Sequence, residues 1–224
     1  MKGKQENLAI NKKNGYKFLI ADDHEIIRSG LQQILSSAFP TAYIEMVNDA
    51  EGVIRKTVSE KWSVVISDLS MPGRSGLEVA EYIKKNFPET PVLILSIYPE
   101  DHYAIRALRA GASGYLNKNI ATDELVNAVT RVLQGRKYIS PEIAENLLQN
   151  LDGETIKAPH EQLSNRELHV FKMIAVGQSV SEIAEHLSLS INTVSTYKAR
   201  ILKKMNLKTV ADLTIYAIEN HFIL

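Results

Sequence analysis

The chain has 224 residues, 45% of them hydrophobic, which is enough for one large or two ordinary domains and too apolar for wholesale disorder. It contains no cysteine, which excludes a disulfide framework and a thiolate metal site and fits a reducing, cytoplasmic compartment. Its 26 basic and 26 acidic side chains cancel, so the total charge alone does not point to nucleic acid.

The opening stretch "MKGKQENLAINKKNG", residues 1–15, lacks the apolar run of a signal peptide and is expected to be a polar, mobile lead-in. No later apolar run is long enough to span a bilayer, so no membrane partner is expected. From residue 16 to about 134, short apolar runs alternate with helical patterns. The runs are "YKFLIA", "AYIEMV", "WSVVIS", "PVLILS" and "SGYL"; between them lie amphipathic stretches such as residues 24–39 and 76–87. Alternating strands and helices imply right-handed crossovers and a mostly parallel sheet. Three of the runs are continuously apolar, as strands buried on both faces should be.

After Gly135 the rhythm changes. Residues 136–162 read as a linker with one helix, "SPEIAENLLQNL" (140–151), capped by Ser140 with Pro141 in its first turn. The following "DGETIKAPHEQ" (152–162) is polar. The tail, 163–224, parses as four short helices at about 165–176, 180–187, 191–206 and 209–221. Ser164 with Glu167 has the pattern of a capping box, and Gly177 ends the first helix.

Charge is segregated along this order. Residues 16–134 carry 12 basic and 15 acidic side chains. Between Glu185 and Asp212 there is no acid, but five bases: Lys198, Arg200, Lys203, Lys204 and Lys208.

In an open α/β sheet, ligands bind beyond the carboxyl ends of the strands. Asp22 and Asp23 follow the first run, Asp68 ends the third, Ser96 the fourth, and Lys118 follows the fifth. Alone, each has an ordinary meaning: a strand-end Asp is usually a helix cap, Ser96 a turn former, Lys118 a solvated charge. Together they place three carboxylates, a hydroxyl and an amine at one rim. Clustered carboxylates repel unless a positive charge sits among them. A hard divalent cation such as Mg2+ suits all-oxygen ligands. Such a site matches a phosphoryl group: an Asp oxygen can attack phosphorus, while cation, Lys and Ser neutralise the equatorial oxygens.

"ADDHEIIRSGL", "SDLSMPGRSGLEV", "LILS" and "GYLNK" together resemble the receiver domain of bacterial two-component response regulators, over residues 16–135. The resemblance implies a flavodoxin-like, doubly wound (βα)5 domain. It makes Asp68 the phosphoacceptor. Asp23 becomes a direct Mg2+ ligand, Asp22 the holder of metal-bound water, and the backbone carbonyl of Ser70 a further ligand. It makes Ser96 and Tyr115 switch residues and Lys118 the phosphate partner. Asn119 departs from the Pro found in many relatives. The six His residues show no ligand spacing, so no metal role is expected for them.

Residues 163–218 resemble the helix-turn-helix output domain of the NarL/LuxR class, through "LSNRE", "GQSVSEIAEHLSLSINTVSTYKARILKKM" and "ADLTIYA". In the recognition helix, Val194, Tyr197, Ile201, Leu202 and Met205 recur at helical spacing and should face the small core. Ser195, Thr196 and Ala199 are then expected nearest the bases in the major groove, with Thr193, Lys198, Arg200, Lys203 and Lys204 on phosphates. Glu182 and Ile183 belong to the preceding helix. Val180 and Ser181 stand where Asn-Lys is common, which removes one basic contact.

The two resemblances imply a regulator of transcription, phosphorylated by a sensor histidine kinase and binding double-stranded DNA as a homodimer. Two other readings compete. A haloacid-dehalogenase-like phosphatase also uses a strand-end Asp with Mg2+, but needs a second acid two residues later, where this chain has Ser70. A receiver-like protein that binds DNA without phosphorylation is the third.

Overall fold

The computed structural model describes residues 15–97, 100–119, 122–140, 144 and 158–223. The expected lead-in, save Gly15, and most of the expected helix at 140–151 lie outside the described residues. The chain divides into two compact units, Met1–Leu147 and Leu148–Leu224.

In the first unit, β1 (Lys17–Ala21), β2 (Tyr43–Val47), β3 (Val64–Asp68), β4 (Val92–Ser96) and β5 (Gly114–Asn117) form one sheet in the order β2-β1-β3-β4-β5. Every pairing is parallel. This is the flavodoxin-like, doubly wound order. The connecting helices are α1 (Glu25–Ala38), α2 (Ala50–Ser59), α3 (Gly76–Asn86), α4 (Glu100–Ala110) and α5 (Thr122–Leu133). β3 and β4 are buried at every residue, which is why their runs are continuously apolar. β2 is an edge strand with Tyr43 and Met46 exposed, so its sequence admits Glu45. The core joins Phe18, Ile20, Val64, Ile66, Leu93, Leu95 and Leu116 of the strands to Leu35 of α1 and Leu125 and Val129 of α5.

Local chemistry sets the helix starts at the sheet's carboxyl edge. Asp49 caps α2 by accepting from Gly52 N. Ser75 and Glu78 form a capping box at α3. Gly76, the first residue of α3, donates from its backbone to Leu69 O at 2.8 Å. A Cβ at Gly76 would lie 2.2 Å from the carbonyl oxygen of Asp68. No side chain fits that space, so this Gly sets how closely α3 approaches the end of β3.

The second unit contains α6 (Asn165–Ala175), α7 (Val180–His186), α8 (Ile191–Lys204) and α9 (Val210–Glu219). The capping box expected of Ser164 and Glu167 is present, and equivalent boxes start α7 and α9. Gly177 takes a φ of +89° just past the end of α6. α8 stops at Lys204, slightly before the expected 206, because Asn206 turns left-handed (φ 54°) and Leu207 N bonds back to Leu202 O. Part of the expected linker is ordered here: Pro159–Gln162 forms a 3-10 turn. Its buried His160 meets the Tyr216 hydroxyl at 2.7 Å and the edge of Phe222.

Alanine at a helix start ordinarily stabilises relative to glycine. Gly76→Ala should instead destabilise the first unit by ~2 kcal/mol or more, because the added methyl meets backbone rather than a yielding side chain. Urea denaturation should show a lower midpoint with an unchanged slope.

Candidate functional site

The carboxyl ends of the strands bring the site together. Asp22 follows β1 and is fully buried. Its Oδ1 accepts from His24 N at 2.9 Å, and its carbonyl accepts from the Arg28 guanidinium at 2.6 Å, so the first turn of α1 folds back onto it. Asp68 is the last residue of β3, and its Oδ1 accepts from Leu69 N at 2.8 Å. Lys118 follows β5, and its backbone N–H donates to Ser96 O at 2.7 Å, which ties it to the end of β4. Its side chain then reaches across the edge. Lys118 Nζ lies 2.6 Å from Asp22 Oδ2 and 2.9 Å from Asp68 Oδ1, with only 9% of the side chain exposed.

These charges set one another's protonation. Burial pushes the Asp68 carboxyl up to about 6, with the nearby Asp22 and Asp23 charges adding to the rise and Lys118 opposing it. Burial works against the Lys118 ammonium, but Asp68 and Asp22 outweigh it and hold its pKa above the usual value. The amine stays charged, and the cluster carries three carboxylates against it.

The donor set fits a hard cation. Asp22 Oδ2 and Asp23 Oδ1 are buried, and their close contacts are Lys118 Nζ and His24 Nδ1; a carboxylate oxygen has a second lone pair that a hard cation can take. Asp23 is linked to Asp22 through His24, whose Nδ1 lies 2.8 Å from Asp23 Oδ1 and 3.2 Å from Asp22 Oδ1. Asp22, Asp23 and His24 each offer one donor atom within 4.8 Å of the others. Ser70 lies half-buried in the turn after Asp68. His24 and Arg28 carry no sequence motif of their own; their contacts to Asp22 are signalled only by position, just after the Asp pair and on the first turns of α1.

Ser96 is buried at the end of β4, and its register partner on β5 is Asn117. Tyr115 is wholly buried on β5, with Ile94 of β4 as its register partner. Asn119 N donates to Asn117 Oδ1 at 2.9 Å, closing a side-chain turn just past β5.

In the second unit, Ser190 caps α8, accepting from Thr193 N at 3.1 Å. Val194, Ile201 and the adjoining Met205 are buried, while Tyr197 and Leu202 are half-buried. Ser195, Thr196, Ala199, Arg200 and Lys203 form an exposed stripe, with Thr193 and Lys198 half-buried beside it. Lys204 stands apart from them. Its Nζ lies 2.6 Å from Glu167 Oε2 and 3.3 Å from Gln162 O, so its charge is already held by a carboxylate of α6.

With this geometry in place, likeness to known proteins is informative. The model of the response regulator receiver domain matches residues 18–130, and that of the bacterial regulatory proteins of the luxR family matches 161–217. The chain is a response regulator. The oxygen regulatory protein NreC of Staphylococcus carnosus is 36% identical, over 92% of this chain and 99% of NreC. Response regulator UvrY of Escherichia coli K12 is 34% identical, over 90% of this chain and 93% of UvrY. The structure of RcsB from Salmonella enterica serovar Typhimurium, bound to promoter rprA in the presence of phosphomimetic BeF3-, is 26% identical with a TM-score of 0.64. That match covers 91% of this chain and 98% of that one. Response regulators of this kind are bacterial DNA-binding regulators of transcription, not typical enzymes. Among the described residues, no helix of this response regulator is long and apolar enough to cross a membrane.

Two outcomes follow from the electrostatics. A carboxyl whose pKa is raised by folding stabilises the fold while it is protonated and loses that contribution as pH rises through the folded value. In metal-free buffer the response regulator should therefore lose stability between about pH 4 and 7, the window set by the rise of Asp68 from 3.8 to about 6. Asp68→Asn should remove this dependence and gain about 2–3 kcal/mol at pH 7, measured by urea denaturation at each pH. For the basic face, Lys203→Ala should reduce the slope of log K against log salt on duplex DNA by about 0.9. Lys204→Ala should leave that slope unchanged and lower the melting temperature of the helical unit.

Proposed function

We propose that this response regulator is a phosphorylation-gated transcription factor of the cytoplasm, with Asp68 as the acceptor of a phosphoryl group from a sensor histidine kinase. The observation that carries the proposal is the bridging of Asp22 and Asp68 by Lys118 Nζ at 2.6 and 2.9 Å. An ammonium held between two buried carboxylates leaves a place suited to an anionic group with oxygens on several sides.

In the transfer, an Asp68 oxygen forms a bond to phosphorus as the phosphorus–nitrogen bond to the kinase imidazole breaks, and that nitrogen keeps the electron pair. With its pKa near 6, Asp68 is largely ionised and nucleophilic at neutral pH. Asp23, Asp68 and the Ser70 carbonyl would hold a Mg2+ ion, with Asp22 holding metal-bound water, and the ion would supply charge neutralisation at the phosphoryl oxygens. Lys118 is freed from Asp68 to pair with the incoming phosphoryl group, and the Ser96 hydroxyl donates to one of its oxygens. The new group brings a charge of about −1.5 to −2 where a single carboxylate stood.

Tyr115, buried on β5 beside Ile94 of β4, serves as the aromatic of the switch. The end of β4 and the start of the β5 turn, joined by the Lys118 N–H to Ser96 O bond, tighten around the phosphoryl group. That shifts the balance towards a homodimer. Two recognition helices on adjacent half-sites then gain through effective concentration. Ser195, Thr196 and Ala199 face bases in the major groove, and Thr193, Lys198, Arg200 and Lys203 hold phosphates.

The deciding measurement is retention of duplex DNA at fixed salt, with and without beryllofluoride. Retention should rise with the mimic in the wild type and not in Asp68→Asn. Wild-type protein should take up one label per chain from a small phosphodonor, and Asp68→Asn none. Steady turnover of phosphate monoesters would instead favour a phosphatase. DNA retention indifferent to beryllofluoride would favour regulation without phosphorylation.

A further inference from the structure

The recognition helix carries one exposed side chain that neither phosphate contact nor core packing explains. Ile191 is its first residue, and 55% of it is exposed. Among the described residues of α8, the other exposed positions are Asn192, Ser195, Thr196, Ala199, Arg200, Lys203 and Lys204, all polar, charged or small. A branched aliphatic side chain stands alone at the leading end.

Its position is fixed by the cap. Ser190 accepts from Thr193 N and shares a 2.8 Å contact with the Thr193 hydroxyl, so the helix starts at Ile191 without fraying. Residues 191, 195 and 199 are spaced by four, which places Ile191 on the same face as Ser195 and Ala199. The amino-terminal turns of a recognition helix approach base edges. In the major groove, thymine alone presents a methyl group, which apolar side chains read by contact.

We propose that Ile191 is a specificity residue that packs against the C5-methyl of a thymine at one fixed position of the operator. This rests on the DNA-binding reading above and names one base that the helix selects. The contact covers an apolar side chain that water now surrounds, and it discriminates because no other base offers that methyl. Ser195 and Ala199 are small enough to let Ile191 approach the groove floor.

The test uses the full chain activated with beryllofluoride and Mg2+, and a duplex selected by it from a randomised pool. Each thymine of that duplex is replaced in turn by uracil, which removes the methyl and keeps every hydrogen-bonding atom. For wild type, one replacement per half-site should weaken binding roughly fourfold, the worth of one buried methyl. For Ile191→Ala the same replacement should have no effect, while circular dichroism confirms an unchanged helical unit. If no uracil replacement loses its effect in Ile191→Ala, the assignment is overturned while the DNA-binding reading stands. If the wild type selects and retains no duplex at all, both fall together.

Discussion

Everything at the carboxyl edge of the sheet depends on one ammonium group. Lys118 Nζ is shared by Asp22 and Asp68, and all three are nearly dry. Taking such charges out of water costs several kcal/mol each, and the attraction between them repays this only with good geometry. Here repayment is incomplete. Burial outweighs Lys118 at Asp68 and leaves its carboxyl near 6. A chain selected only for a stable sheet gains nothing from this arrangement over packed apolar side chains. Its retention makes sense if the unsettled negative charge has a use, and a site short of positive charge is one that a divalent cation completes.

The same edge is built so that a change at Asp68 is felt elsewhere. Leu69 N bonds to Leu95 O, Gly76 N to Leu69 O, and Lys118 N to Ser96 O. The end of β3 at Asp68, the start of α3 and the ends of β4 and β5 therefore share one run of backbone hydrogen bonds. Gly76 leaves α3 no slack against the Asp68 carbonyl. Packed elements joined in this way shift between discrete arrangements instead of deforming gradually. On the function proposed above, phosphorylation would act by changing populations, with its leverage limited to its differential affinity for the two states.

The parts of this architecture that were legible in the sequence are those where burial dictates residue type. The apolar runs of β3 and β4 marked central strands, and polar residues just beyond apolar runs marked the rim. The capping pair Ser164–Glu167 marked a helix start because an unpaired N–H must find an oxygen nearby. What could not be seen are contacts that cross between elements. Lys204 looks like its neighbour Lys203, yet one extra residue is about 100° of helix rotation, and it turns Lys204 towards Glu167. His160 sits in a polar run, and only the tertiary fold supplies Tyr216 and Phe222 to bury it. His24 and Arg28 gain meaning only once the first turn of α1 closes on Asp22.

The two halves solve opposite electrostatic problems, and the zero net charge of the whole conceals this. At the strand ends, few charges act over about 3 Å in a buried setting, where salt screens little. On α8, exposed bases act through water, where attraction for DNA rises and falls steeply with salt. A single phosphoryl charge added as proposed would be decisive in the first setting and weak in the second, and direct repulsion of DNA by it is a poor basis for control at physiological salt, with a screening length of about 8 Å. On the function proposed above, the signal would then be carried as a change of packing and association state, through the coupled backbone around Asp68 rather than the long-range field of the first unit.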